Sequence, residues 1–158
     1  MRKSKQLIFT FLLLLYALLP LAAQDRKPIL DNIESTVSSS LYDFSLQHKW
    51  NKERASGFLW KSGKPHVLVW LEFCDSMTQA KSIFDMYVEE HRKIPDEKLS
   101  GLGLDNYWSE NYPSESLPQN QERDLHFYRG KIVVLVSASS KESAETVARQ
   151  VDALLPDA

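Results

Sequence analysis

Apolar residues recur along the chain with two different spacings, one typical of helices and one typical of strands. From residue 29 to residue 40 apolar side chains recur every three or four positions, which predicts a helix with one apolar stripe. The same spacing returns after the capping-box pattern Ser76-x-x-Gln79 and again after Ser139-Ser140. We therefore predict two further helices, one that ends near residue 92 and one that ends before Pro156.

The stretches between these helices have the patterns of strands, either an alternation of apolar and polar residues or, at residues 66–74, an almost continuous apolar run. Residues 42–50 alternate in this way, and two hairpins follow around the turns Gly63-Lys64 and Gly130-Lys131. Each hairpin leads into one of the two later helices. The prediction is an α+β fold with an antiparallel sheet made of two β-hairpin-plus-helix units, with the helices on one face, plus an N-terminal helix.

The strand around residue 70 carries different side chains on its two faces, because successive residues of a strand point in opposite directions. One face is wholly apolar and belongs to the core: Val67, Val69, Leu71 and Phe73. The other face mixes apolar and polar groups: His66, Leu68, Trp70, Glu72 and Cys74. Either the N-terminal helix or the loop with Tyr107 and Trp108 covers this second face, or the face is open to a ligand or partner.

The open alternative gives a binding hypothesis that also involves the irregular stretch over residues 101–123. Its candidate residues are aromatic or polar and lie in the two hairpins and in that stretch: Trp70, Glu72, Tyr107, Trp108, His126 and Tyr128. The expected ligand is a small molecule or an envelope partner protein.

The first 23 residues have the layout of a secretory signal peptide. Arg2, Lys3 and Lys5 precede an apolar run, and Pro20-Leu21-Ala22-Ala23 supplies a break and small residues before a polar stretch. We expect cleavage after residue 23 and a single exported domain over residues 24–158, either periplasmic or secreted. Because the one cysteine is Cys74, we do not expect a lipoprotein.

The net charge and the absence of known motifs argue against several classes of function. Removal of residues 1–23 takes away three basic and no acidic residues, which leaves 16 Lys and Arg against 21 Asp and Glu. This balance gives no electrostatic reason to bind nucleic acid, or a membrane once the signal is removed. No spacing typical of a metal, nucleotide or other cofactor site occurs, so we predict no metal, no cofactor and no catalytic residue.

Two other functions stay open at this point. An enzyme of unknown class would use Cys74 or Glu72 together with His66 or His126, because a thiol or carboxyl group needs a base or an altered pKa to react. A structural or envelope-assembly protein would act by oligomerisation, through pairing of an exposed strand edge. The oligomeric state is left open.

Residues from about 66 to 155 resemble small exported bacterial domains of unknown function. The resemblance rests on the turn Gly101-Leu102-Gly103-Leu104-Asp105-Asn106-Tyr107-Trp108, followed by a hairpin with an Arg-Gly-Lys turn. In those domains a Gly-Leu-Gly-Asp-x-Ala-Tyr turn precedes such a hairpin, and this chain departs from it at Leu104 and Asn106. The resemblance implies an extracytoplasmic α+β domain and supplies no catalytic residue. We therefore predict a non-enzymatic binding domain.

Overall fold

Three helices and six strands make up the part of the chain that the structure describes. The structure is a computed structural model that describes residues 26–90, 98–110 and 123–156, and the predicted signal peptide lies outside these ranges. The elements follow one another in this order: α1 (Arg26–Ser40), β1 (Ser45–Asn51), β2 (Ala55–Lys61), β3 (His66–Phe73), α2 (Met77–Glu90), β4 (Asp105–Glu110), β5 (Arg123–Arg129), β6 (Ile132–Ala138) and α3 (Lys141–Leu154).

The six strands form one antiparallel sheet in the order β1-β2-β3-β6-β5-β4. Strands β2 and β3 form the first predicted hairpin and lead into α2, while β5 and β6 form the second and lead into α3. In the two hairpin turns Gly63 and Gly130 have φ values of 67° and 54°, a region that favours glycine. The predicted α+β class and its two hairpin-plus-helix units are confirmed.

Helices α1 and α3 pack side by side on one side of the sheet, here called the α1/α3 face. Helix α1 buries the predicted apolar stripe through Leu30, Ile33 and Val37. Trp60 of β2 is fully buried on this face, and its Nε1 donates a hydrogen bond to Oγ of Ser38 at 2.9 Å. The main core lies here and includes the residues of β3 that were predicted to face it: Val67, Val69, Leu71 and Phe73.

Helix α2 lies on the opposite side of the sheet, here called the α2 face. Its Ala80 and Phe84 pack on Tyr107, Tyr128 and Val133, which β4, β5 and β6 present there. This position differs from the expected packing of the helices on one face. The reason is space: α1 contacts β2 and α3 contacts β5 and β6 on the α1/α3 face, so α2 buries its apolar stripe on the other side.

Candidate functional site

Two tryptophans lie side by side on the α2 face. Trp50 of β1, Gly57 of β2 and Trp70 of β3 are directly opposite one another in the register of the three strands. The centroids of the two indole rings are 6.4 Å apart and their planes meet at 61°. A Cβ atom at Gly57 would lie 2.6 Å from Cε3 of Trp70 and 3.1 Å from Cε3 of Trp50. Because position 57 has no side chain, both indoles can lie over β2.

Trp50 reaches this face because β1 contains a bulge. The pairing with β2 shifts between Leu46 and His48, so Leu46 is opposite Trp60 and packs against the main core. His48, beyond the bulge, is opposite Leu59, which lies on the α2 face. The unbroken alternation of residues 42–50 hides this change of face, and Trp50 is therefore missing from the predicted site. The available signal was Gly57, which lies within β2, because a glycine in a strand often marks the close approach of another group.

Three leucines extend the tryptophan pair into a broader apolar surface. Leu59, Leu68 and Leu135 lie on the same side of the sheet and are half-buried, as are the two tryptophans. Helices α1 and α3 pack on the other side of the sheet, and α2 packs over β5 and β6. We call this surface the open half-face; it consists of Trp50, Leu59, Leu68, Trp70 and Leu135.

Polar side chains border the open half-face on the β1 and β2 side. Nζ of Lys52 lies 5.6 Å from the centroid of the Trp70 ring, within range of a cation–π interaction. The imidazole of His48 lies 4.3 Å from the Trp50 ring. Lys61 ends β2, and alternation along the strand puts it on the same face as Leu59. This border is therefore cationic and hydrogen-bonding.

Glu72 borders the open half-face on the α2 side. Its Oε2 accepts a hydrogen bond from the hydroxyl of Tyr87 on α2 at 2.8 Å. Burial, and then this hydrogen bond, raises the pKa of Tyr87, so the phenol stays protonated and keeps donating. Glu72 thus joins β3 to α2 and fixes the edge of the helix beside the open half-face.

The other four predicted residues do not join Trp70 at the surface. Tyr107, His126 and Tyr128 are buried on the α2 face, next to α2. Trp108 is fully buried in the main core on the α1/α3 face. Tyr107 and Trp108 are neighbours on β4, and neighbours on a strand point to opposite faces, so they cannot form one surface.

A buried polar group surrounds His126. Its ring stacks on Tyr107 with a centroid distance of 4.5 Å, and its Nε2 lies 3.0 Å from Oγ of Ser109. Asp124 is opposite Ser109 and on the same face as His126. Serine, histidine and aspartate are the residue types of a nucleophile, a base and an orienting acid. However, the exposed fractions of Ser109 and His126 are 1% and 2%, so the described conformation offers a substrate no access to this hydroxyl.

The surroundings of Cys74 disfavour its thiolate form, which is the nucleophilic form of cysteine. Burial, followed by the charges of Glu72 and Asp75, raises the pKa of its thiol to about 11. His66 begins β3 and Cys74 follows its end, so about 26 Å of extended strand separates them. Burial, and then Lys61, lowers the pKa of His66. Within the described ranges no three histidine, cysteine or carboxylate side chains are grouped to hold a metal ion.

The Gly101-Leu102-Gly103 turn is built into the fold. Leu102 is buried in the main core. Asn106 closes the turn, since its Nδ2 donates to the carbonyls of Leu99 and Leu102 at 2.9 and 2.8 Å and its Oδ1 accepts from the Leu99 amide at 2.8 Å. Asp152 of α3 accepts from the Gly103 amide at 3.1 Å and pairs with Arg129. Of the predicted binding stretch, residues 111–122 lie outside the described ranges.

Comparisons with protein-family models, with curated proteins and with solved structures give no match to this chain. Among the described residues, no helix is long and apolar enough to cross a membrane. The chemistry of the open half-face is therefore the basis on which a function can be inferred.

Proposed function

We propose that this protein is an exported binding domain that holds a partner protein on the open half-face. The observation that carries the proposal is the pair Trp50 and Trp70, which lie over Gly57 on a half-buried apolar surface. Export is supported by the signal-peptide layout of residues 1–23, and the position of the one cysteine, Cys74, supports a domain without a lipid anchor.

A partner protein suits this surface better than a small ligand does. Tryptophan is enriched among the residues that dominate binding energy at protein interfaces, where a polar rim surrounds an apolar centre. The open half-face has this arrangement, with Lys52 and His48 beside its two indoles. Its side chains rise from neighbouring strands of one sheet, which makes a broad surface, whereas sites for small molecules are concave.

The proposal is tested by capture of a partner from an extract of the native extracytoplasmic compartment, with the exported chain as bait. The variant is Trp70→Ala, and the control is Tyr42→Ala, because Tyr42 is an aromatic residue that is 93% exposed and lies outside the open half-face. Loss of a central tryptophan costs about 2 kcal/mol or more of binding, so Trp70→Ala should retain roughly thirtyfold less partner at limiting bait. Tyr42→Ala should retain as much as the wild type.

Unfolding measurements on the same variants separate binding from folding. Because Trp70 is half-buried, Trp70→Ala should lower the free energy of unfolding by only about 1–2 kcal/mol. A loss of about 3–5 kcal/mol, as for a tryptophan inside a core, would make Trp70 a core residue and refute the proposal. Undiminished capture by Trp70→Ala would refute it as well.

A further inference from the structure

The two faces of the sheet carry different numbers of the described helices. On the α1/α3 face, α1 packs beside β2 and α3 packs over β5 and β6. On the α2 face, α2 also packs over β5 and β6, directly behind α3. The open half-face lies directly behind α1. It is thus the one quarter of this two-sided sheet on which no described helix packs.

The dimensions of the open half-face suit a single helix. Strands are about 4.8 Å apart, so the surface from β1 to β6 is about 14 Å wide, and a helix with its side chains is about 10–12 Å across. The same strands already support one helix on their other side, where Phe58 and Trp60 of β2 lie beneath the stripe of α1. Leu59 and Trp70 offer the α2 face a comparable apolar surface.

Hydrogen bonding distinguishes a helix from other occupants. The backbone N–H and C=O groups of β2 and β3 pair with neighbouring strands of the sheet. A ligand on this face therefore finds no free backbone donor or acceptor on these two strands. An extended peptide laid on Leu68 and Trp70 would bury its own amide and carbonyl groups without partners, and a glycan would do the same with its hydroxyls. A helix satisfies its backbone internally and presents only side chains.

The lysines at the border of the open half-face favour a partner with negative charge beside its apolar residues. Lys52 lies over the Trp70 ring at one end of the open half-face, and Lys61 lies near the other end. We infer that the open half-face seats one amphipathic helix of a partner protein, with apolar residues at positions i, i+3 or i+4, and i+7 and with acidic residues that flank this stripe. This inference rests on the proposed function, because it specifies the segment that the partner contributes.

Site-specific photocrosslinking in the native host tests it. The crosslinker p-benzoylphenylalanine replaces Leu59, Leu68 or Leu135, one at a time, in the full chain, and a fourth variant carries it at Tyr42 as a control outside the surface. We expect all three variants, but not the control, to crosslink one protein. When the crosslinked residues of that protein are mapped by mass spectrometry, they should be 3, 4 or 7 positions apart.

The other outcomes overturn different parts of the argument. Crosslinks to residues two positions apart in a partner protein would overturn the inferred helix and leave the proposed function intact. Crosslinks to a glycan or to a second copy of this chain would overturn the partner protein of the proposed function together with the helix. Crosslinks no stronger than those of the Tyr42 control would overturn the proposed function together with the inference. Thermal unfolding of each variant shows which of the three positions tolerates the crosslinker.

Charge reversal tests the acidic flanks separately. With the crosslinker at Leu68, Lys52→Glu and Lys61→Glu should each lower the yield about two- to fivefold at low salt, which is the scale of one lost rim ion pair. Lys131→Glu is the matched control, because Lys131 is an exposed lysine in the turn before β6. Equal crosslinking yields from all three charge reversals would contradict the inference that acidic residues flank the apolar stripe of the bound helix.

Discussion

The effect of Gly103→Ala on the free energy of unfolding tests whether the Gly101-Leu102-Gly103 turn is part of the fold. Its φ is 59°, which alanine adopts only with strain. A Cβ atom at this position would lie 2.6 Å from the carbonyl oxygen of Tyr128 and 3.1 Å from Cδ2 of Phe127. That carbonyl belongs to the backbone of β5 and already accepts a hydrogen bond from the Leu104 amide at 2.8 Å. It cannot move aside as a flexible side chain would.

Two other glycines separate the steric contribution from the conformational one. Gly63 and Gly101 have φ values of 67° and 71°, and a Cβ at either position meets no atom within 4 Å. Alanine at these positions should therefore cost only the left-handed conformation, about 1–2 kcal/mol. Gly103→Ala adds the forced contact with β5, on the scale of overpacking at about 1–3 kcal/mol. We expect a total loss of about 2–5 kcal/mol, the sum of the two contributions.

Urea denaturation of the three alanine variants, followed by fluorescence and circular dichroism, provides the free energies of unfolding. Gly103→Ala should have a midpoint well below those of Gly63→Ala and Gly101→Ala, with an unchanged slope. If all three variants lose the same free energy, the turn is not held against Tyr128. The assignment of the turn to the fold would then fail, and residues 101–103 would again be candidates for a binding loop.

Two further predictions concern Gly57, beneath the open half-face, and Cys74, which follows β3. Gly57→Ala should cost only about 1 kcal/mol, because the Trp70 indole can tilt outward, yet it should change the near-UV circular dichroism and lower partner capture, by no more than Trp70→Ala does. An unchanged spectrum with full capture would contradict the packing of the two indoles over β2. Native Cys74 should react with iodoacetamide at pH 8 on the order of 100-fold more slowly than in the urea-unfolded chain, because a pKa of about 11 leaves little thiolate. Since this pKa is raised above the ordinary 9.0, its contribution to stability is full below about pH 9 and is lost as the pH rises to about 11. Equal labelling rates in the folded and unfolded chain would contradict the environment assigned to Cys74.

Local patterns predicted the elements of this fold well because their causes are local. The stripe of α1 follows from 3.6-residue periodicity, and the two hairpin turns follow from the glycines that their backbone conformations favour. The two faces of β3 follow from strict alternation. The capping box was also visible, since Oγ of Ser76 accepts from the Gln79 amide at 3.1 Å at the start of α2.

What the patterns could not predict depends on tertiary packing. The side on which α2 lies depends on α1 and α3, which are distant from it in sequence and occupy the other face, α3 over the same strands β5 and β6. A two-fold relation between the antiparallel hairpins would put α2 and α3 on the same face, so the similar order of elements in the two halves does not extend to the helices. Trp108 was predicted in an irregular stretch, but it lies on β4. It is buried on the α1/α3 face, whereas its neighbour Tyr107 is buried on the α2 face.

The composition of the open half-face is itself an argument for an interface. An antiparallel sheet that exposes one face to water usually carries polar residues at alternate positions of its strands. Strand β3 instead presents Leu68 and Trp70 between His66 and Glu72. These two residues belong to neither hydrophobic cluster of the described residues, because one cluster is the main core on the α1/α3 face and the other lies between α2 and Tyr107 and Tyr128. Exposed apolar surface favours aggregation, whereas burial against a partner returns about 25 cal/mol for each Å² that leaves water. The cationic border then limits which helix can supply that burial.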